Sequence, residues 1–553
     1  MSVDIQKLIS NKNYNDALNL LNTFTSNDIL ENDKNICNKS LIYYLLNKYD
    51  MARDIILKRL DDNKNIYPRL YYRLAKAYEG LQEYELMCSA YENMINLLPE
   101  SEQIKTLTHM QDYYNKDINY MRQWIITSGG VINNVNIEYY DVDYRGMKIS
   151  SPVKPTEPII QIPWSCIISL NDSIKHNPYN KKIVEAGLKL NSNHSYIALE
   201  LLYIKQNPEN PKNNYVRCLP KYFDNVPINF TIEELLKLEG SYSLVKILQK
   251  LFILQLEYQQ INNILDNAFS FTDFVWARTA VITRVYAVKK NGEADTVLVP
   301  FADMANHETP PNTKWDFNDK LQMFIVESEK YLKYGDILYE TYGYKCNYRY
   351  FVNYGFTVPN NKDEEVSIIF NFLYNEQIKN YINSILEYPN KNITIRELFI
   401  EKIYNTTSKE TIHFLLTEPM VYQIGYTYND VIKKMFKDFR NNKDMSIETE
   451  LIIHQIIFRL ASEMLSNFIT TKEEDETLLK QYDYNFNLRN TLIMRISEKS
   501  VLDFWITLSS HIIEILQSPK LDSKSFKKLN KKMGKYLGFK TFGPYIAELI
   551  KLK

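Results

Sequence analysis

The sequence predicts an α+β protein in which an N-terminal helical repeat arm precedes a β-containing region split by a helical insert, followed by an all-α C-terminal lobe. Three observations support this prediction: a 35-residue repetition near the N-terminus, short β-branched and aromatic runs after residue 130, and apolar stripes at helical spacing beyond residue 361. The predicted parts are residues 1–115, residues 121–361 with an insert at about 172–273, and residues 362–553.

The N-terminal arm repeats a short pattern in which a tyrosine is followed three residues later by alanine or methionine. The tyrosines are Tyr14, Tyr49 and Tyr84, each 35 residues from the next. Small and aromatic residues at this spacing are typical of tetratricopeptide helix pairs, which often form a groove for a peptide partner. The pattern predicts two helix pairs preceded by a single helix. The alternative, a helical cap that packs on the next domain and binds no peptide, stays open.

The middle and the end of the chain differ in their apolar periodicity. A helix is predicted from Met121 to the glycine pair Gly129–Gly130, because glycine commonly ends helices. Short strands are predicted after it, at Val135–Tyr140, Met147–Ile149 and Ile159–Ile162. In the C-terminal lobe, the apolar stripe Ile453, Ile457, Leu460, Met464 and Phe468 and the run Val501–Leu516 predict core-facing helices.

Composition narrows the class of protein. The 66 Lys and Arg residues nearly balance the 67 Asp and Glu residues, so no nucleic-acid partner is expected. The five cysteines are scattered without zinc-site spacing, which favours reduced thiols in an intracellular protein, cytoplasmic or nuclear, and no metal site. No apolar run approaches about 18 residues, and the N-terminus lacks the pattern of a signal peptide. No membrane association is therefore expected.

The most informative segment is Val299–Asn361. It opens with Val-Pro-Phe-Ala-Asp-Met-Ala-Asn-His, which ends at His307. Three of the chain's 14 glycines, Gly335, Gly343 and Gly355, then follow within a short distance, two of them directly after a tyrosine. A chain that uses glycine so sparingly is expected to place it where the backbone needs positive φ or a close approach.

These residues resemble the SET-domain protein methyltransferases, specifically the Rubisco large-subunit lysine methyltransferase-like class. The resemblance rests on the following motifs: Pro300, Asp303-x-x-Asn306-His307, Gly335-Asp336, Tyr342-Gly343-x-x-x-Asn347 and Tyr354-Gly355-Phe356. It implies a SET β-fold split by the helical insert, S-adenosyl-L-methionine as the methyl donor, a protein substrate and no metal.

The resemblance also implies roles for individual residues. Tyr354 would place its hydroxyl near the methyl-transfer centre, and Tyr342 would line the channel for the acceptor. The residues that it implies for cofactor binding are Asp303, Asn306, His307, Arg284, Gly146 and Glu157. Asn347 would stabilise the crossing of the chain beside the cofactor. The loop Lys154–Glu157 carries Thr156 where the class often has glycine, so the sequence leaves the conformation of this loop and the role of Glu157 open.

Three hypotheses remain about whether the protein is an enzyme and which group it methylates. A lysine ammonium has a pKa of about 10.4 and must lose its proton before it can attack, and a sleeve of tyrosine rings would disfavour the charged form by desolvation. The first hypothesis is a protein-lysine N-methyltransferase. The second is a non-catalytic peptide-binding adaptor on the same scaffold. The third is an enzyme that modifies histidine or a protein N-terminus; within the resemblance, tyrosine at position 354 favours lysine.

Overall fold

The structure, a computed structural model of the 553-residue chain, describes most of the sequence. The described residues are 5, 8, 9, 13–23, 28–61, 66–81, 83–95, 97, 117–139, 145–369, 387, 389, 390, 392, 394–398, 421–426, 428, 430–481, 486–518, 531 and 542–552. They form two compact units. The first comprises residues 1–167, 208–221 and 299–340, and the second comprises residues 168–207, 222–298 and 341–553. The division into three domains made from the sequence remains a prediction.

Helices and strands follow one another in an order typical of a mixed α+β chain. The helices are α1 Tyr14–Asn22, α2 Ile29–Leu45, α3 Tyr49–Leu60, α4 Pro68–Leu81, α5 Tyr84–Ile95, α6 Leu170–His176, α7 Pro178–Glu185, α8 Asn193–Lys205, α9 Asn213–Val216, α10 Ile232–Leu236, α11 Tyr242–Ile264, α12 Phe271–Ile282, α13 Asn347–Tyr354, α14 Ile395–Leu398, α15 Asp430–Phe439, α16 Ile447–Ser466, α17 Lys472–Gln481, α18 Phe486–Gln517 and α19 Gly543–Lys551. The strands are β1 Val131–Ile132, β2 Val135–Tyr139, β3 Arg145–Ile149, β4 Pro158–Pro163, β5 Ile168–Ser169, β6 Tyr286–Lys290, β7 Glu293–Leu298, β8 Asn306–His307, β9 Thr313–Asn318, β10 Met323–Ser328, β11 Ile337–Glu340, β12 Glu365–Ile369 and β13 Val421–Gly425.

The N-terminal arm is helical, as the 35-residue pattern predicts. The repeated tyrosines are the first residues of α1, α3 and α5. Each of the helices α1 to α4 packs against the next one along the chain. Their shared core includes Ile56, Leu74 and Tyr91. Ile5, Leu8 and Ile9 are also helical, so α1 is not the first helix of the arm. The tetratricopeptide assignment and the peptide groove remain predictions, and Pro99 lies outside the described residues.

The first unit also contains two four-stranded sheets. One has the strand order β1-β4-β10-β9, and the other has the order β2-β3-β11-β8. In the second sheet β11 pairs antiparallel with β3 and parallel with β8, where Tyr339 lies opposite Asn306 and Glu340 opposite His307. Strands were predicted for β2, β3 and β4. The helix before them spans residues 117–127, and Gly129 has a φ of 92° immediately after it.

The second unit contains the helical insert and the C-terminal lobe. The region of the predicted insert carries α6 to α8, α10 and α11. Helix α12 follows it, and the strands of the small sheet β5-β7-β6 lie before and after it in the sequence. The lobe packs α16 against α18 around a core in which Trp505 and Ile457 are fully buried. The helical character predicted for the lobe is therefore confirmed. No described helix combines the length and the apolar character that a bilayer-spanning helix requires.

One antiparallel pair, β12 with β13, interrupts the lobe that the sequence predicts as all-α. Val366 and Ile368 alternate along β12 and are buried in the lobe core. Five residues with period-two alternation are too few to stand out from the helical pattern around them. The indole N–H of Trp505 donates to the carbonyl of Gly425 at 3.1 Å, which ties β13 to α18.

Helix α13 ends at a glycine that has little freedom to change. Gly355 adopts a φ of 76°, the left-handed conformation that closes many helices. A methyl group at this position would lie 2.6 Å from the carbonyl oxygen of Asn225. Gly355 is therefore required both for its conformation and for the close approach of residue 225.

We expect Gly355→Ala to lower the free energy of unfolding by about 2–5 kcal/mol, because a left-handed alanine costs about 1–2 kcal/mol and the crowding adds about 1–3 kcal/mol. Gly187→Ala is the matched control, since Gly187 also has positive φ (71°) but open space around it. Chemical denaturation of both variants measures the difference. Equal losses for the two variants would contradict the close approach at Gly355.

Candidate active site

A strained turn leads into the Asp303-x-x-Asn306-His307 motif. Phe301 has φ 69° and ψ −50°, and the N–H of Ala302 donates to the carbonyl of Pro300 at 2.9 Å, which closes a three-residue turn. Such a turn is rare and unfavourable for a side chain as large as phenylalanine. The ring is fully buried, and the guanidinium carbon of Arg122 lies 5.1 Å from its centroid. Packing therefore holds the backbone in a conformation that it would otherwise leave.

The turn delivers Asp303 into a buried position. Residues Ala302–Met304 form one turn of 3₁₀ helix, and the Asp303 side chain is 5% exposed. The hydroxyl of Tyr215, from α9, donates to Oδ2 of Asp303 at 2.5 Å. A hydrogen bond to a carboxylate in such a dry environment is strong, and it fixes the 3₁₀ turn in place. Sequence reasoning missed Tyr215, because nothing distinguishes it among the chain's 43 tyrosines.

Asn306 is held by the strand that carries Gly146. The Nδ2 amide of Asn306 donates to the carbonyl of Arg145 at 2.9 Å. The guanidinium of Arg145 in turn donates to the carbonyl of Cys218 at 2.6 Å and lies 3.1 Å from the sulfur of Met304. Gly146, the next residue on β3, is buried. The structure thus brings Asn306 and Met304, the residue after Asp303, into contact with Arg145, which precedes Gly146.

His307 follows Asn306 on the short strand β8 and is half-buried. Its Nε2 lies 3.4 Å from Oγ1 of Thr309, and its backbone lies opposite Glu340 in the parallel pair of β8 and β11. Asn306 and His307 therefore present an amide and an imidazole that are accessible to solvent, beside the buried turn at residues 302–304. Both side chains can donate and accept hydrogen bonds.

The loop that carries Glu157 keeps the conformation that glycine would favour, although Thr156 occupies the position. Thr156 has a φ of 63°, and the N–H of Glu157 donates to the carbonyl of Lys154 at 3.2 Å. The carboxylate of Glu157 accepts from the Lys154 N–H at 2.9 Å and from the Asn134 amide at 3.5 Å. Within the described part of the chain, no hydrogen bond joins Glu157 to Asn306 or His307, so its role in cofactor binding remains a prediction.

The second unit contains an aromatic cluster formed by Tyr342, Tyr350, Tyr354 and Phe356. The rings of Tyr342 and Tyr354 stack with centroids 5.1 Å apart and an interplanar angle of 23°. Phe356 meets both of these rings edge to face at 6.2 Å and stacks on Tyr350 at 5.0 Å. Tyr342 and Tyr354 are each half-buried. The sequence pointed to these two tyrosines, and the structure places their faces together.

Asn347 fixes the backbone that carries the aromatic cluster. This residue is fully buried. Its Nδ2 donates to the carbonyl of Val358 and to the hydroxyl of Ser497, both at 2.9 Å, and its Oδ1 accepts from the N–H of Val358 at 2.7 Å. Its own N–H donates to both carboxyl oxygens of Glu364 at 3.2 Å. The amide therefore clamps the start of α13 to the segment after it, consistent with a crossing of the chain at this point.

Arg284 lies in the second unit, just beyond the end of α12. Its backbone N–H donates to the carbonyl of Val281 at 3.0 Å, and its side chain is half-buried.

Over the described residues, no group of three or more His, Cys, Asp and Glu side chains is arranged to hold a metal ion.

Two carboxyl groups, Glu364 and Glu498, are buried near Asn347 in the second unit. Burial, with a smaller contribution from the neighbouring Glu498, raises the pKa of Glu364 to about 8, although the Asn347 N–H opposes the shift. Burial likewise raises the pKa of Glu498 to about 7. Both side chains are less than 5% exposed. At neutral pH Glu364 is therefore mainly protonated, and the clamp at Asn347 rests on a carboxyl group whose charge depends on pH.

Two solved structures share this fold. The SET domain of LSMT bound to lysine and AdoHcy is similar with a TM-score of 0.56 at 17% sequence identity, over 79% of this chain and 99% of that chain. Rubisco LSMT bound to AdoMet is similar with a TM-score of 0.52 at 16% identity, over 76% of this chain and 96% of that chain. At these identities the likeness establishes the fold, and it confirms the α+β class predicted from the sequence.

Sequence comparison adds two findings. A family model described as the Rubisco LSMT substrate-binding region matches residues 419–502, within the C-terminal lobe. The actin-histidine N-methyltransferase of Danio rerio is 23% identical over 413 residues, which is 71% of this chain and 67% of that protein. The chain thus matches about two thirds of the length of this relative.

The raised pKa of Glu364 predicts how stability depends on pH. The folded chain holds the proton up to about pH 8, whereas the unfolded carboxyl group ionises near its ordinary value of 4.5. The contribution of Glu364 to the free energy of unfolding is therefore greatest below about pH 4.5. It decreases as pH rises towards 8, by up to about 1.4 kcal/mol per pH unit. Glu364→Gln removes this loss, so we expect its stability relative to wild type to increase between pH 5 and pH 8.

Denaturant unfolding at several pH values measures the effect. The Glu293→Gln variant, which removes an exposed carboxylate from β7, reports the general effect of losing one negative charge. A Glu364→Gln difference that stays constant from pH 5 to pH 8 would contradict the raised pKa.

Proposed function

We propose that this protein is an S-adenosylmethionine-dependent protein-lysine N-methyltransferase. The observation that carries the proposal is the stacked pair of Tyr342 and Tyr354 in a chain with the fold of the LSMT SET domain. The solved LSMT structures are of a protein bound to lysine with AdoHcy and to AdoMet. Both the acceptor side chain and the donor of the proposed reaction are thus ligands that this fold accommodates.

The cofactor is held chiefly by Asn306 and His307, with Asp303 and Gly146 beside them. When bound, S-adenosylmethionine supplies an electrophilic methyl group on its sulfonium. The half-buried amide of Asn306 and the imidazole of His307 offer the hydrogen bonds that its amino-acid and adenine ends need. The buried pair of Asp303 and Tyr215 keeps this segment in place. Arg284 presents a guanidinium suited to a carboxylate. Glu157 is the remaining residue that the sequence predicts for cofactor binding.

The aromatic cluster takes the acceptor lysine. Its rings form an apolar lining that desolvates the amine, which lowers the amine's pKa and favours the neutral, nucleophilic form. The hydroxyl of Tyr354 provides one directional hydrogen bond to orient the nitrogen. Holding the amine in line with the methyl group can lower the activation free energy by roughly 7–11 kcal/mol. Asn347 and Gly355 act through Tyr354 by fixing the backbone of the segment that carries it.

A second candidate function is methylation of a histidine. It is favoured by the similarity to the actin-histidine N-methyltransferase of Danio rerio. An imidazole is already largely neutral at pH 7, so it needs less desolvation than a lysine ammonium. Tyrosine at position 354 favours lysine, as the resemblance found in the sequence implies. A non-catalytic adaptor on the same scaffold would leave the positions of Asn306 and Tyr354 without a chemical role.

Two further parts of the chain complete the proposal. The protein substrate docks on the C-terminal lobe, where residues 419–502 match the Rubisco LSMT substrate-binding family. The N-terminal helices α1 to α5 form tetratricopeptide-like repeats that bind a peptide of a partner protein. In this proposal the reaction requires no metal ion, and the protein binds neither a nucleic acid nor a membrane.

We expect Tyr354→Phe to lower turnover by at least about 100-fold, because it removes the hydroxyl that orients the acceptor. Affinity for S-adenosylmethionine should change little. Tyr344→Phe is the matched control, since Tyr344 lies in the same segment with 68% of its surface exposed. Methyl transfer to free lysine, followed by S-adenosylhomocysteine release, measures both variants. Wild-type turnover in Tyr354→Phe would remove Tyr354 from catalysis.

We expect Asn306→Ala to weaken S-adenosylmethionine binding at least about 10-fold, which corresponds to about 1.4 kcal/mol. Isothermal titration calorimetry measures the dissociation constant directly. Asn133→Ala removes an exposed amide elsewhere in the first unit and should bind as the wild type does. Unchanged affinity in Asn306→Ala would show that the cofactor binds elsewhere.

A further inference from the structure

A lysine of the chain itself lies against the aromatic cluster. The ammonium nitrogen of Lys345 is 5.8 Å from the centroid of the Tyr354 ring, within the range of a cation–π contact. The same nitrogen donates a hydrogen bond to the backbone carbonyl of Tyr342. The two tyrosines assigned to the acceptor are therefore both in contact with an amine that belongs to this protein.

Gly343 creates the space in which this amine lies. The backbone at Gly343 has a φ of 90°, and a methyl group on its Cα would come within 2.9 Å of the Lys345 nitrogen. The hydroxyl of Tyr350 donates to the Gly343 carbonyl at 2.7 Å, and the Gly343 N–H donates to Oγ1 of Thr341 at 3.1 Å. The turn is thus held on both sides in a conformation that admits the amine.

The position of Lys345 is fixed at its backbone as well. Its carbonyl accepts from the side-chain amide of Asn361 at 2.8 Å, and its side chain is half-buried. Burial lowers the pKa of Lys345, and the nearby Arg349 lowers it further. An amine that loses its proton more readily is a better nucleophile, which is the property that an acceptor in this place requires.

We propose that Lys345 is an internal substrate: its amine occupies the acceptor position and is itself methylated. This inference rests on the proposed function. The Lys345 ammonium first gives its proton to water. Its lone pair then forms the bond to the methyl carbon, while the carbon–sulfur bond of the sulfonium donor breaks and its electron pair stays on sulfur. The products are a methylammonium group on Lys345 and the thioether S-adenosylhomocysteine.

The position of Lys345 has a consequence for other acceptors. An incoming lysine must displace the Lys345 amine from the ring of Tyr354 and from the backbone carbonyl of Tyr342, so the resting protein is partly self-inhibited. Methylation keeps the positive charge on the amine and adds an apolar surface that aromatic rings bind well. The modified side chain therefore continues to compete with the incoming lysine.

The test uses the full chain incubated with deuteriomethyl-labelled S-adenosylmethionine and no other acceptor. We expect peptide mass spectrometry to find the label on Lys345. The first-order rate constant should be independent of enzyme concentration, because the transfer is intramolecular. A rate constant that rises in proportion to enzyme concentration would overturn the proposal.

Three variants separate occupancy from methylation, with free lysine as the probe acceptor. Lys345→Met removes the amine and should raise the rate of free-lysine methylation severalfold. Lys345→Arg keeps a cation that does not accept the methyl group, so it should lose the label and methylate free lysine more slowly than Lys345→Met does. Lys362→Met makes the same chemical change at an exposed lysine and should alter neither the label on Lys345 nor the rate. Circular dichroism verifies that each variant is folded.

The outcomes distinguish this inference from the function on which it rests. If calorimetry detects no binding of S-adenosylmethionine to the wild type, both are overturned. If the cofactor binds and free lysine is methylated, but Lys345 carries no label and Lys345→Met has the rate of the wild type, only the proposal for Lys345 is overturned.

Discussion

The hydrogen bonds of one buried amide, Asn347, determine where the aromatic cluster can form. Its side chain engages both the N–H and the carbonyl of Val358 and the hydroxyl of Ser497. These contacts close the segment that carries Tyr354 into a fixed loop, and the Gly355 backbone approaches Asn225 too closely to admit a side chain. The stacking of Tyr342 on Tyr354 follows from this backbone. Without the clamp, the rings would be separate surface tyrosines with no shared face for an acceptor.

The first unit uses a different physical device to hold its polar groups. Phe301 stores conformational strain in the turn before Asp303, and its buried ring prevents the turn from relaxing. The hydrogen bonds of Tyr215 to Asp303 and of Asn306 to Arg145 then fix the motif on the far side of the turn. Strain held by the surrounding packing is typical of sites that must be organised before a ligand arrives.

Much of the fold could be predicted from the sequence because its signals are periodic. The tyrosines at the starts of α1, α3 and α5, the short strands near Arg145 and the apolar stripe of α16 all repeat with the period of the element that they form. The pair β12–β13 could not be predicted, because five alternating residues give too weak a signal next to long helices. For the site, the resemblance of the glycine-containing motifs to those of SET-domain methyltransferases pointed to Tyr342, Tyr354 and Asn306.

The contacts that support the site could not be predicted in the same way. The partner of Asp303, Tyr215, lies 88 residues earlier in the chain, and long-range pairs of this kind leave no local pattern. Thr156 was an ambiguous signal, because threonine rarely adopts positive φ, yet it does so here. Lys345 was part of a recognised motif, but its side-chain direction depends on the Gly343 turn, which only the three-dimensional structure specifies.

The most direct measurement is the transfer of a radiolabelled methyl group from S-adenosylmethionine to the proteins of an extract from cells that express this chain, followed by mass spectrometry of the labelled peptides. We expect the label on the Nε atom of a lysine side chain in a protein substrate. Incorporation on histidine alone would contradict the lysine assignment, and the absence of any incorporation by purified protein that is folded would contradict the methyltransferase itself.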